Sequence, residues 1–220
     1  MRINVYLASA TGVSRRQADK LIEQGRVTIN NELASIGGQI KPDDEVKLDA
    51  KNISLAPTLT TIMINKPVGY VVSRNGQGSS TIYDLLPSEF SILKPVGRLD
   101  KDSSGLLLLT NDGQLANSLT HPSNVKLKRY QIELNKALSL ADANHITGGV
   151  KLSDGLSRLS LSNLSNEQTK LTITMSEGRN RQIRRTFAAL GYEVTGLHRT
   201  HFGEFNLAKL GKGEWQKIKP

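Results

Sequence analysis

The chain contains no cysteine, which excludes disulfide bonds, thiolate metal sites and cysteine nucleophiles and is typical of a reducing compartment such as the cytoplasm. It also lacks a long apolar segment, because the longest leucine run, Leu106–Leu109, is far too short to cross a bilayer. The first residues do not form the continuous apolar core of a signal peptide. P-loop and dinucleotide-binding glycine motifs are absent as well. We therefore expect a cytoplasmic protein that does not enter a membrane.

Basic residues outnumber acidic ones, with 29 Lys and Arg against 20 Asp and Glu, and the 220-residue chain has a formal charge of +9. The excess is uneven, because residues 1–60 carry 8 basic and 7 acidic side chains whereas residues 61–220 carry 21 and 13. Such a positive field attracts polyanions, although many soluble proteins carry solvated lysines. Charge alone therefore favours a nucleic-acid partner without identifying a site.

Residues 14–25 have the pattern of a short helix. Ser14 is a typical N-cap, Gln17 completes a capping box, and Gly25 ends the segment. An apolar stripe at helical spacing is formed by Ala18, Leu21 and Ile22. The predicted outward face carries three basic side chains, Arg15, Arg16 and Lys20. This helix is the first candidate for contact with a polyanion.

Alternating apolar residues predict strands at 27–29 and 46–48, with a tight reversal at Asn30-Asn31. The segment 49–60 has no clear period and contains a proline, and a new apolar strand follows at 62–64. We therefore predict a small helix-and-strand domain at 1–48, a linker at 49–60 and a larger domain at 61–220. Two domains of different composition are expected to have different tasks.

Strands and helices alternate irregularly in the larger domain, which predicts the α+β class. Strand patterns lie at 106–110, 128–134 and 171–175. Helical patterns lie at 114–119, which is stopped by His121-Pro122, and at 141–147 and 180–190. Asp102 and Asp112 have the sequence context of acids that hydrogen-bond the local backbone of turns.

The helix predicted at 180–190 separates apolar from basic side chains. Its apolar stripe consists of Ile183, Phe187 and Leu190, and its opposite face carries Arg181, Arg184 and Arg185. Arg179 precedes the helix, so several guanidinium groups meet at a helix N-terminus, where anions are favoured. The pattern fits a phosphate or carboxylate site, but taken alone it favours an amphipathic surface helix with solvated arginines.

Asp100 lies where a polar loop enters a run of leucines. An acid at such a position can be functional, because the adjoining core shields it from water. Acids in turns also commonly cap the local backbone. The residue types alone leave both interpretations open.

The segment that contains Asp100, GRLDKDSSGLLLLTNDG at 97–113, resembles the signature of RsuA-type ribosomal RNA pseudouridine synthases. NKPVGYVVS at 65–73, KRYQI at 128–132 and EGRNRQIRR at 177–185 resemble the other motifs of that family, in the family's order. SRRQADKLIEQGRVTIN at 14–30 resembles an S4 RNA-binding domain. Ser103 stands where many members carry threonine, with the hydroxyl retained. The resemblance spans nearly the whole chain.

The resemblance implies an S4-like domain followed by a synthase domain with a mixed, largely antiparallel sheet flanked by helices. It also implies the isomerisation of a uridine to pseudouridine, in which the C1′–N1 bond breaks and the sugar is rejoined to C5, without a cofactor or metal. Asp100 is then the catalytic nucleophile, Arg184 its ion-pair partner, and Tyr130 the residue that packs on the base and assists proton transfer. Lys66-Pro67 and Gly69 match a family motif, and we assign them no catalytic role.

The implied partner is ribosomal RNA of the small or large subunit, or a ribosomal assembly intermediate. Phosphate contacts are expected from six basic residues: Arg15, Arg16, Lys20, Arg98, Arg181 and Arg185. His198 and His201 form an HxxH pair without an evident third ligand, so we expect contact with RNA or solvent rather than metal. A monomer is expected because no heptad seam is present. The alternatives are a non-catalytic S4-containing RNA-binding or ribosome assembly protein, and a synthase acting on another RNA.

Overall fold

A computed structural model describes residues 1–55, 58–121, 123–162 and 165–219. The chain divides into two compact units. The first contains Met1–Thr60 and Pro87–Lys94, and the second contains Thr61–Leu86 and the chain from Pro95 onward. Residues 87–94 fall inside the predicted larger domain but belong to the first unit. Residues 56 and 57 of the predicted linker lie outside the described residues.

Two short helices begin the first unit, α1 (Ile3–Thr11) and α2 (Arg15–Glu23). Helix α2 begins as predicted, because the Ser14 hydroxyl accepts from the Gln17 amide while the Gln17 side chain accepts from the Ser14 amide. Helix α1 was not predicted from the sequence. It has no side-chain N-cap and only nine residues, so its local signals are weak.

The first unit also contains a four-stranded antiparallel sheet with the order β2-β1-β3-β4. The strands are β1 (Val27–Ile29), β2 (Glu32–Leu33), β3 (Val46–Leu48) and β4 (Lys51–Asn52). The predicted reversal at Asn30-Asn31 is present, with φ of 50° and 69°. The helices and the sheet share one buried core, formed by Ile3, Leu7, Ala18, Ile22, Val27, Ile40 and Val46.

Eleven further strands are described along the rest of the chain. They are β5 (Thr61–Lys66), β6 (Lys94–Val96), β7 (Ser104–Thr110), β8 (Lys128–Leu134), β9 (Val150–Leu152), β10 (Gly155–Ser157), β11 (Ser160–Ser162), β12 (Lys170–Met175), β13 (Val194–Phe202), β14 (Phe205–Asn206) and β15 (Trp215–Ile218). Strands β9 and β10 form a separate hairpin, and the other nine described strands form one sheet. Its path is β11-β12-β8-β13-β7-β5-β15, with β14 beside β13 and β6 beside β7. Strand β7 runs parallel to β13 and antiparallel to β5, so the sheet is mixed and largely antiparallel, as predicted.

Three helices accompany this sheet, α3 (Gly113–Thr120), α4 (Leu140–Gly148) and α5 (Gln182–Ala188). Two 3-10 turns lie at Ile82–Leu85 and Ser88–Ile92. Asp112 caps α3 as predicted, since its carboxylate accepts from the amides of Gln114 and Leu115. The predicted stop at His121-Pro122 lies partly outside the described residues, because Pro122 is not described. Among the described residues no helix is both long and apolar enough to span a membrane.

The centre of the large sheet is buried on both faces. Leu106, Leu107, Leu108 and Leu109 of β7 are all inaccessible to solvent. Neighbouring residues of a strand point to opposite faces, and Leu106 and Leu108 pack in one cluster with Met63 and Phe202. Apolar side chains therefore fill both sides of β7, which explains the continuous leucine run.

Four adjacent strands bring the family motifs to one region of the sheet. Lys66 at the end of β5 lies opposite Gly105 of β7, and Gly105 pairs with Arg199 of β13. Arg199 in turn lies opposite Tyr130 of β8. The loop that carries Asp100 leads directly into β7. Residues far apart in sequence are thus set side by side by strand pairing.

Gly105→Ala tests how closely β7 and β13 approach. Gly105 has φ +108°, and a Cβ atom there would lie 2.2 Å from the Arg199 carbonyl oxygen. We expect the substitution to lower the free energy of unfolding by about 3 kcal/mol through backbone strain and steric overlap. The measurement is urea unfolding followed by the fluorescence of Trp215, the single tryptophan, which lies in the same sheet.

Gly113→Ala is the matched control. Gly113 is the first residue of α3, and a Cβ there meets no atom within 4 Å. We expect a change of about 0.5 kcal/mol or less. Equal unfolding free energies for the two variants would contradict the proposed close approach of the strands.

Candidate active site

A cleft of about 660 Å³ opens in the second unit beside the Asp100 loop. Its volume lies within the range of about 300–1,000 Å³ that is usual for pockets that bind small ligands. The lining comes from the Asp100 loop, β8, the start of α5 and β13, and includes Asp100, Ser103, Tyr130, Arg181, Arg184 and Arg199. The three residues predicted from the sequence to act in catalysis, Asp100, Tyr130 and Arg184, therefore share one cavity.

Asp100 lies at the mouth of this cleft. The chain turns at Gly97, which has φ +75°, and the buried Leu99 anchors the loop before Asp100. The Asp100 side chain is 37% exposed, and its carbonyl accepts from the Ser103 amide at 3.1 Å. Its carboxylate is therefore accessible from the cleft while its backbone is fixed.

Lys66 holds the Asp100 loop from beneath. It is completely buried, and its Nζ donates to the carbonyls of Pro67 at 3.1 Å, Asp100 at 3.0 Å and Ser103 at 2.6 Å. Burial lowers the pKa of Lys66 to about 8, while the nearby Asp100 and Asp102 oppose that shift. The ammonium thus satisfies three carbonyls in a place that water does not reach. Lys66 thus holds the loop in place.

Tyr130 forms part of the opposite wall. It lies in the middle of β8, is 7% exposed, and has Ile173 and Arg199 as its neighbours across the sheet. The strand alternates as predicted, with Tyr130, Ile132 and Leu134 all buried. The ring is therefore held by the sheet at the cleft rather than exposed at a strand edge.

The predicted ion pair between Arg184 and Asp100 is wrong in this structure. Arg184 Nε instead lies 3.2 Å from the Asp102 carboxylate, and Arg184 also donates to the carbonyls of Asp102 and Val194. The guanidinium near Asp100 is that of Arg181, at 3.6 Å. The side-chain direction along the helix decides this, because Arg181 precedes α5 in a left-handed conformation, φ 47°, and reaches both acids.

The sequence context of Asp102 predicted only hydrogen bonds to the local backbone. In the structure its carboxylate also binds two arginines. Its carboxylate accepts from Arg181 at 2.9 Å and 3.1 Å and pairs with Arg184. The hydrogen bonds from Arg181 are the main reason that the pKa of Asp102 lies below its usual value; burial opposes them, and the charges of Arg184 and Arg181 lower the pKa further. The two guanidinium groups and two acids form one charge cluster at the cleft.

The remaining arginines near α5 are already paired. Arg179 Nη1 lies 2.9 Å from one oxygen of Asp154, and Arg185 Nη2 lies 2.7 Å from the other. Helix α5 is also shorter than predicted, at Gln182–Ala188. The basic helix end anticipated as an open anion site thus has a carboxylate of the same chain in contact with Arg179 and Arg185.

The other predicted RNA contacts lie at the surface. Arg98 is exposed and lines the cleft. Arg15, Arg16 and Lys20 of α2 are exposed on the first unit, as predicted. Their side chains are therefore free to meet a polyanion without unfolding either unit.

Arg199 was not identified from the sequence. It is only 3% exposed, lines the cleft, and donates from Nε to the Leu106 carbonyl at 2.8 Å. The HxxH spacing of the nearby His198 and His201 instead led to the expectation that these histidines contact RNA or solvent. His198 bonds the Ser104 hydroxyl at 2.9 Å and His201 the Thr200 hydroxyl at 2.9 Å. The strand that carries Arg199, β13, has no alternating pattern of burial, so no local signal pointed to this residue.

The pH dependence of stability tests the Lys66 contacts. A lysine whose pKa falls to about 8 in the folded chain loses its proton there, while the unfolded chain keeps it until about 10.5. Between these values the unfolded chain binds more protons, so the unfolding free energy contributed by Lys66 rises with pH. We expect the unfolding free energy of wild type minus that of Lys66→Met to increase from pH 7.5 to 9.5. Unfolding is followed by Trp215 fluorescence. A difference that is constant or decreases over this range would contradict the assignment.

The chain matches two family models. Residues 60–189 match the family described as RNA pseudouridylate synthase, and residues 1–46 match the S4 domain. A solved structure described as a pseudouridylate synthase is 32% identical and has a TM-score of 0.71, covering 100% of this chain and 96% of its own. The predicted family and the α+β fold are thereby confirmed.

Individual relatives agree with these matches. The dual-specificity RNA pseudouridine synthase RluF of Escherichia coli is 35% identical over 99% of this chain and 75% of its own length. The ribosomal small subunit pseudouridine synthase A of Pasteurella multocida is 32% identical over 99% of this chain and 96% of its own length. The chain therefore belongs to the RNA pseudouridylate synthase family and carries an N-terminal S4 domain.

Proposed function

We propose that the chain converts a specific uridine of ribosomal RNA to pseudouridine, with Asp100 as the catalytic nucleophile. One observation carries this proposal: the accessible Asp100 carboxylate, 3.6 Å from the Arg181 guanidinium, shares a cleft with the buried Tyr130. A carboxylate can trap a sugar as its base departs, as it does in enzymes that cleave glycosides. The guanidinium is an attractive electrostatic partner for that carboxylate in a partly enclosed site.

The isomerisation gains and loses no atoms overall. The C1′–N1 bond breaks with its electron pair going to the uracil, and a carboxylate oxygen of Asp100 bonds C1′. The base then turns within the cleft, C5 bonds C1′, and the carboxylate is released. The proton on C5 leaves and a proton is gained at N1. Asp100 acts at the sugar in both halves of this sequence.

Tyr130 and Arg184 have different proposed roles. The apolar face of the Tyr130 ring packs on the base, and its hydroxyl assists the proton transfer at C5. Arg184 holds the Asp100 loop through the carboxylate and carbonyl of Asp102. Arg184 therefore acts through the loop, and Arg181 is the cation that faces the nucleophile.

The target uridine has to leave its stack to reach the cleft, at a cost of about a few kcal/mol. Phosphate contacts offset that cost, and we propose that Arg98 and Arg181 make them near the cleft. Arg185 contributes only when a phosphate replaces Asp154. In the first unit, Arg15, Arg16 and Lys20 form the second part of the RNA surface. Binding is thus electrostatic in large part, and the cleft selects the base.

Ribosomal RNA is the proposed substrate, free or within an assembly intermediate, and the chain is proposed to act as a monomer. The name of the Pasteurella relative refers to the small ribosomal subunit, and the name of RluF describes an RNA pseudouridine synthase of dual specificity. Mapping pseudouridine in ribosomal and transfer RNA from cells with and without the gene identifies the substrate. RNA that is bound tightly but left unmodified would instead support the non-catalytic alternative.

Asp100→Asn tests the nucleophile. The amide cannot form the ester bond to C1′, so we expect the single-turnover rate to fall by at least about a thousandfold. RNA affinity should be retained, because the substitution leaves the basic residues intact. The rate is measured by mapping pseudouridine in RNA treated with saturating protein. A rate within tenfold of wild type would refute the assignment.

Asp102→Asn is its control on the same loop. Its carboxylate is 46% exposed and pairs with Arg181 and Arg184 rather than facing a sugar in our proposal. An exposed ion pair such as that with Arg181 contributes about 0–1 kcal/mol, and the hydrogen bond from Arg184 to the Asp102 carbonyl is retained, so the rate should fall by about fivefold at most. A loss of rate in Asp102→Asn as large as that in Asp100→Asn would contradict the assignment of Asp100, rather than Asp102, as the nucleophile.

The salt dependence of RNA binding tests the surface of α2. Removing one phosphate contact with Lys20→Gln should reduce the slope of log affinity against log salt by about 0.7–0.9. Lys51→Gln, on β4 of the same unit, removes the same charge outside the proposed surface and should leave the slope unchanged. Equal slopes for the two variants and wild type would exclude Lys20 from the RNA surface.

A further inference from the structure

The guanidinium of Arg199, a residue that lines the cleft, has an unused donor. Its Nε bonds the Leu106 carbonyl at 2.8 Å, but its buried Nη2 has no hydrogen-bond partner among the described residues. A buried donor without an acceptor destabilises the folded protein, and more so when the group is charged. Arg199 lines the cleft and is 3% exposed. A ligand in the cleft can supply the missing acceptor.

The charge of Arg199 is also uncompensated. No acidic oxygen among the described residues lies within the 4 Å ion-pair distance of this side chain. Its guanidinium lies over the Phe202 ring at 5.1 Å, and Lys128 approaches the same ring at 5.7 Å. Burial, and then the charge of Arg199, lower the pKa of Lys128. This wall of the cleft is thus positive and attracts an acceptor that carries negative charge.

The depth of Arg199 distinguishes it from the arginines at the mouth. Arg181 has a side chain that is 43% exposed, and Arg98 is exposed, as suits contacts to a phosphate backbone. Arg199 lies instead beside the buried Tyr130, its partner across the strands. A nucleobase turned out of its stack can enter to this depth, whereas the backbone stays outside. The chemistry that fits is a carbonyl oxygen of a pyrimidine.

We propose that Arg199 is a catalytic residue that binds the departing uracil and stabilises its negative charge. Its Nη2 donates to O2 or O4 of the base. When the C1′–N1 bond breaks, the electron pair passes to the uracil and spreads over N1 and these oxygens, while Asp100 bonds C1′. The charge is greatest before C5 attacks C1′, so the interaction is strongest where the barrier lies. This inference rests on the proposed function and names the group that faces the base.

Arg199→Met removes the charge and the donor while keeping most of the side-chain length. We expect the single-turnover rate to fall by about a hundredfold or more, as when one donor to a developing negative charge is removed. RNA affinity should change by less than about threefold, because phosphate contacts dominate it. Added guanidinium ion, at concentrations that do not unfold the protein, should restore part of the rate with saturation.

Arg158→Met is the matched control. Arg158 also donates from Nε to a backbone carbonyl, that of Gly148 at 3.1 Å, and it is exposed and does not line the cleft. The single-turnover rate of Arg158→Met should equal that of wild type and should not respond to added guanidinium. A rate for Arg199→Met within about threefold of wild type, or a loss without rescue that matches a loss of folded protein, would overturn the proposal.

Substituted RNA tests the same contact without changing the protein. Sulfur accepts hydrogen bonds poorly, so 2-thiouridine or 4-thiouridine at the target should slow wild type by about tenfold when it replaces the contacted oxygen. Equal rates for both thio substrates and for uridine would refute the contact, even if Arg199→Met does not fold. RNA left unmodified by wild type contradicts the proposed function itself, whereas an active wild type with an unaffected Arg199→Met contradicts only the role of Arg199.

Discussion

The buried ammonium of Lys66 is the contact on which the site depends. A loop that enters the middle of a sheet exposes backbone carbonyls to a core without water, and each needs a donor. Lys66 supplies three donors from a single side chain, two of them to the ends of the Asp100–Ser103 segment. The loop can thereby end in a buried strand and still present Asp100 at the surface of the cleft.

The sheet arranges cations at two depths around this loop. Arg181 and Arg184 share the acids of the loop at the mouth, whereas Arg199 lies in the wall with a donor unused. The paired charge of the partly exposed Arg181 costs little, because water reaches it. The buried, unpaired charge of Arg199 destabilises the folded protein. Such groups are usually retained where they interact with a ligand. The two sets of arginines are thus suited to different parts of a nucleotide.

The sequence predicted the fold where local signals agreed with the tertiary structure. The capping box at Ser14, the leucine run of β7 and the Asp112 cap of α3 were all found as expected. Helix α1 was missed because nine residues without a cap carry little local information. Asp100, Tyr130 and Arg184 were predicted through family motifs, since local pattern left Asp100 ambiguous, whereas Arg199 was not identified. Which acid meets which arginine depends on side-chain directions at the start of α5, and spacing along the chain does not contain that information.

Gly105 connects the core to the chemistry. Because it has no side chain, β7 and β13 lie close enough that the backbone of Arg199 fills the space a methyl group would take. The position of Arg199 on β13 therefore depends on the absence of a side chain at Gly105 on β7. A side chain at position 105 would displace Arg199, so catalysis and folding constrain the same position.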